Sequence, residues 1–112
     1  GTSGKHLAKV FEDLGIAEAL KPKLKFADQG YAVAPVGTGE ADIGLQQITE
    51  ILPVKGVKLA GPVPAPLQKE TTYLGAIGSK GKNADAAKRL LAFLRTADSR
   101  AVFVKQGYKP EK

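Results

Sequence analysis

The chain has 112 residues, 43% of them apolar and 25% charged, with a formal net charge of +6. This is ordinary globular usage and enough chain for one domain with a core, which sets collagen, coiled coil and disorder aside. No apolar run approaches the roughly 18 residues that span a bilayer, and the absence of cysteine excludes disulfides, thiolate metal sites and cysteine nucleophiles.

The positive charge is unevenly spread. Residues 1–79 carry eight lysines and eight acidic residues, whereas residues 80–112 carry nine Lys/Arg against three acidic residues, which accounts for the whole excess. Those cations lie beside an amphipathic helical pattern and read as a solvated face. Basic residues interleaved with exposed aromatics, or a groove-reading motif, would mark a nucleic-acid binder; neither is present, and no nucleic-acid partner is expected. Methionine is also absent, so a chain starting at Gly1 is expected to be a processed or cut piece.

In chain order, Leu7, Val10, Phe11 and Leu14 recur at helical spacing. They predict a helix capped by Thr2 or Ser3 and stopped at Gly15. Ala17–Leu20 adds a turn before Lys21-Pro22. Residues 23–27 alternate polar and apolar and predict a short strand. Residues 29–39 are weakly helical, with Pro35 acceptable only in the first turn. Residues 41–45 read as a buried strand running into Gln46-Gln47. Ile48, Ile51 and Leu52 predict a short helix ended by Pro53. Residues 57–60 read as a strand, followed by a stiff connector with Pro62, Pro64 and Pro66, and residues 71–77 as a further strand. Asn83 is placed to cap a helix whose stripe is Ala86, Ala87, Leu90, Leu91 and Leu94. A last helical segment with Ala101, Val102 and Phe103 stops at Gly107. Strands alternating with helices predict an α/β layered domain.

Catalytic chemistry has little support. His6 is the single histidine, and Glu12, six residues on, falls on the opposite side of the helix. No Gly-x-Ser-x-Gly elbow, His-Glu-x-x-His helix or complete phosphate loop occurs, and Thr2-Ser3-Gly4-Lys5 lacks the upstream glycines of the last. Glu40 and Asp42 are scattered rather than clustered as metal ligands. No enzyme, metal or cofactor is expected.

Anion binding is better supplied. Ser3 and Gly4 sit in a helical first turn, where N–H groups lack intrahelical acceptors and the dipole is positive; Gly4 allows close approach and a hydroxyl can add a donor. Ordinary capping uses the same residues. Gln46 and Gln47 follow a strand, where open α/β sheets place their ligands, and an amide offers both donor and acceptor; an exposed strand end reads the same way. Gln29 at the head of the 29–39 segment repeats the helix-start arrangement.

Three stretches together resemble the molybdate-binding branch of the type II periplasmic binding proteins. They are Ser3-Gly4-Lys5-His6-Leu7-Ala8 with Leu14-Gly15-Ile16; Gly39-Glu40-Ala41-Asp42-Ile43-Gly44 with Gln46-Gln47; and residues 84–94 with Ala101-Val102-Phe103 and Gly107-Tyr108. The resemblance implies a three-layer α/β lobe with a mixed sheet, plus C-terminal helices belonging to the other lobe. Residues 1–62 would form the second lobe, 63–78 the interlobe crossover and strand, and 79–112 the helices packing on the first lobe. The remainder of that first lobe would lie outside the chain, so exposed apolar surface and a homodimer or swapped dimer of this piece are expected.

The resemblance further implies an ABC-transporter solute-binding protein, exported to the periplasm by a signal peptide outside this sequence. Its partners would be a membrane permease and a small, anionic ligand held in an interlobe cleft. The ligand set of molybdate binders falls on Ser3, Gln29 and Gln47. Gln47 stands where that set has a tyrosine, so the cargo implied is a molybdate-like oxyanion or a small organic acid. The effector-sensing domains of some transcription regulators share this two-lobed fold and are the alternative.

Overall fold

The computed structural model describes residues 1–27 and 30–110. The chain divides into two units, Gly1–Lys69 and Glu70–Lys112. The first contains helices α1 (Thr2–Asp13), α2 (Ala17–Leu20), α3 (Ala34–Gly37) and α4 (Ile48–Ile51), with 3-10 turns at Lys21–Lys23 and Ala65–Leu67. The second contains α5 (Ala84–Leu94) and α6 (Ala97–Lys105).

No strand forms among the described residues, and this overturns the expected mixed-sheet α/β lobe. The strands read at 23–27, 41–45, 57–60 and 71–77 are irregular here. Local backbone is extended where it borders helical turns, as at Leu24 (φ −75°, ψ 130°) and Gln68 (φ −72°, ψ 141°). Alternation records which side chains want burial, but a strand exists only when a neighbour accepts its N–H and C=O groups. These runs find no such neighbour among the described residues, and several of their apolar side chains stay outside: Phe26 is 77% exposed, Ile43 79% and Leu74 87%.

The helices follow the sequence more closely. α1 runs into the chain reversal at Gly15 (φ +69°), where Gly15 and Ile16 N–H reach back to Glu12 and Phe11 carbonyls. Its start differs from expectation: Thr2 and Ser3 lie inside the helix, Gly1 takes the cap position, and no side chain caps it. Pro35 occupies the first turn of α3, where its missing N–H costs nothing. The earlier part of the 29–39 segment is not helical where described, and Gln29 lies outside the described residues. Asn83 precedes α5 without a side-chain cap bond, whereas Thr96, which the periodicity did not single out, caps α6 by accepting Ser99 N–H.

Little of this surface is enclosed. Buried positions are few: Val10 on α1, Val33 before α3 and Ser99 on α6. Among the described residues no helix is long and apolar enough to cross a membrane.

Candidate functional site

α1 carries the first group of expected ligand residues. Ser3 and Gly4 are half-buried in its first turn. The ladder begins with Lys5 N–H donating to Gly1 O at 3.3 Å, so the earlier N–H groups have no intrahelical acceptor. No side chain caps them, and no Asp or Glu stands in that turn. Twelve residues of aligned peptide dipoles thus end on uncapped donors with no local carboxylate to offset them. A Cβ added at Gly4 would meet nothing; glycine is not needed there for packing within the chain.

His6, on the same helix, lies 2.7 Å through Nε2 from Leu67 O. A carbonyl only accepts, so Nε2 carries the proton, and the ring ties α1 to the 3-10 turn at Ala65–Leu67. Gln68 Nε2 donates to Val63 O at 2.8 Å and braces the same turn. The Pro-rich connector is therefore fastened to α1 by the one histidine.

The two glutamines at 46 and 47 take different positions. Gln46 Oε1 accepts Val33 N–H at 3.2 Å, and its Nε2 donates to Glu50 Oε2 at 2.7 Å. Gln47 precedes α4 with extended backbone (φ −62°, ψ 140°), and its carbonyl accepts from Glu50 and Ile51 N–H at 2.9 and 3.1 Å. Gln46 is thus joined to residues 33 and 50, neither on α1. Neither of two open clefts, one lined by Phe11, Leu24 and Phe26 and one above the 78–83 loop, contains Ser3, Gly4, Gln46 or Gln47. Sequence reasoning missed Val33 and Glu50 as partners of Gln46. The available signal was the i, i+4 spacing from Gln46 to Glu50.

Potential metal ligands do not converge: no group of three His, Asp or Glu forms among the described residues. Glu70 has a displaced titration. Its hydrogen bond and charge attraction to Lys109 Nζ, 2.6 Å away, hold it below the ordinary carboxylate range.

Residues 1–109 match the family described as bacterial extracellular solute-binding protein. The chain belongs to that family. It is 32% identical over 109 residues to an aconitate isomerase of a Pseudomonas species, covering 96% of this chain and 42% of the relative. It is 31% identical over 106 residues to the molybdate-binding protein ModA of Rhodobacter capsulatus, covering 92% of this chain and 41% of that protein. The chain thus spans about two fifths of the length of these curated relatives. No solved structure matches it. The resemblance to molybdate-binding solute-binding proteins read from the three motifs is upheld by both the family match and the second relative.

Proposed function

We propose that this member of the solute-binding family is the C-terminal portion of an ABC-importer binding protein. It holds a small anion, a molybdate-like oxyanion or a small organic acid, and delivers it to a membrane permease from the periplasm. The observation that carries this reading is the first turn of α1, where Ser3 and Gly4 lie among uncapped N–H donors with no acidic neighbour. The printed names of the two relatives supply the same chemistry: molybdate and aconitate are both small, oxygen-rich anions.

The protein acts by binding rather than by catalysis. The match to a solute-binding family and the molybdate-binding relative support that reading. Residues 1–62 serve the second lobe, 63–78 the crossing, and 79–112 pack on the first lobe. The exposed Leu90, Phe93 and Leu94 on α5 support that last assignment, because an apolar stripe at this spacing is made to be covered.

Calorimetry on the full-length protein with molybdate, sulfate, phosphate and trans-aconitate tests the reading, with chromatography of the aconitate incubation alongside. Saturable binding of one anion without isomer conversion is expected. Binding of none would remove the anion assignment, and conversion of aconitate would make the protein an enzyme.

A further inference from the structure

The amide of Gln46 is committed at both ends. Val33 is 2% exposed, and a backbone N–H at so enclosed a residue needs an acceptor. Gln46 Oε1 provides one at 3.2 Å. The other end of the same amide donates to Glu50 Oε2 at 2.7 Å. Its orientation is fixed by chemistry: an N–H can face only the oxygen, and a carboxylate at neutral pH can face only the NH2. No other side chain of this length satisfies both partners. Leucine leaves both unmet, and glutamate accepts from Val33 but repels Glu50.

Gly44 brings the two runs close enough for this bridge. A Cβ at Gly44 would lie 2.7 Å from Val33 Cγ1 and 3.2 Å from Val33 Cα, so only glycine lets residues 44–46 pass directly against Val33. Gln47 follows at once, and its carbonyl opens α4. Whatever fixes Gln46 fixes the backbone on which Gln47 stands.

We infer that Gln46 is a positioning residue: it brackets the Val33 turn to the first turn of α4 and thereby sets the backbone of Gln47, the position on which the ligand set of the similar molybdate binders falls. The ligand clause rests on the anion-binding reading above; the bracket does not.

The test uses the full-length protein and four variants, Gln46→Ala, Gln46→Glu, Gln47→Ala and the reversal Q46E/E50Q, in which the amide and carboxylate exchange places. Amide exchange at Val33, followed by NMR, should quicken roughly tenfold in Gln46→Ala, the loss expected when a buried N–H forfeits its acceptor. Gln47→Ala should leave it unchanged. Q46E/E50Q should restore the order of the Gln47 amide that Gln46→Glu loses. Where the wild type binds the probe, molybdate or trans-aconitate, Kd should rise about tenfold in Gln46→Ala, as for a net hydrogen-bond loss, and recover in the reversal.

Unchanged Val33 exchange in Gln46→Ala overturns the bracket whatever binds. A reversal as weak for the probe as Gln46→Glu overturns the positioning role and makes Gln46 a direct contact. If the wild type binds neither probe, the anion reading falls, while Val33 exchange and Gln47 order still decide the bracket. Should Gln46→Ala fail to fold, recovery in Q46E/E50Q over Gln46→Glu decides it alone.

Discussion

In Gly1–Lys69 several close approaches join two backbone runs through glycine, whereas in Glu70–Lys112 a glycine, Gly75, approaches the Leu91 side chain and aromatic and hydroxyl side chains make further contacts. Gly37 meets the Lys55 carbonyl, with an added Cβ at 2.7 Å, and Gly56, at φ +80°, lies against the Gly37 backbone. Gly44 passes against Val33 in the same way. Gln46 then ties Val33 to Glu50, and other single polar side chains add ties elsewhere in the unit, Lys25 Nζ to Glu40 O at 2.9 Å and His6 to Leu67 O. In the second unit, Tyr108 packs edge-on against both Tyr73 and Phe103, with ring centroids 5.9 and 5.7 Å away. Ser99 Oγ and Thr96 Oγ1 both donate to Phe93 O, at 2.8 and 2.7 Å, where α5 gives way to α6. The contrast teaches that the short elements of the first unit rest on glycines that let backbone runs meet, while the helices of the second are held by side-chain contacts, with Gly75 making room for Leu91.

The largest expected effect breaks the first half of that contrast. Gly44→Ala should drive a methyl into Val33 and cost about 1–3 kcal/mol, the usual penalty for overpacking. Thermal melts should show the loss, and hydrogen exchange should confine it to Gly1–Lys69. Equal loosening of Glu70–Lys112 would show that the two units do not separate as described.

A smaller effect sharpens the second half. Thr96→Ala removes the acceptor for Ser99 N–H and should cost about 1 kcal/mol, typical of a lost N-cap. Its signature is faster exchange in the first turn of α6 with α1 and α4 untouched; Thr96→Ser should recover most of it.

The smallest concerns the exposed pair Glu70–Lys109. Lys109 lowers the folded-state titration of Glu70, so the pair's contribution is present above the unfolded carboxylate value. It is lost as the pH falls through the lower folded value. Melting curves of the wild type and Glu70→Gln should therefore differ slightly at neutral pH and converge in acid. Because both side chains lie in solvent, added salt should shrink the difference as well. A difference that grows on acidification would contradict the assignment.

What could be read in advance tracks this division. The stripe Ala86, Ala87, Leu90, Leu91 and Leu94 placed α5 correctly because a helix makes its hydrogen bonds within itself. Gly107, at φ +89°, ended α6 where expected for a related local reason. Gln46 and Gln47 were singled out together, yet the amide of Gln46 was already taken by partners 13 residues back and four ahead. Only the second of these had a visible spacing.

By itself the sequence determined the helices of residues 84–105, the family through its spaced motifs, and the lack of an acidic residue in the first turn of α1, but not that this turn goes without a side-chain cap. Each depends on neighbours within a turn or two, or on order along the chain. Tertiary structure alone decided that the runs read as strands, 23–27, 41–45, 57–60 and 71–77, form no sheet, because a strand's hydrogen bonds belong to a partner that its own residues do not specify. It decided too that Gln46 serves Val33 and Glu50: an amide with two binding ends declares its partners only when the chain has folded around it.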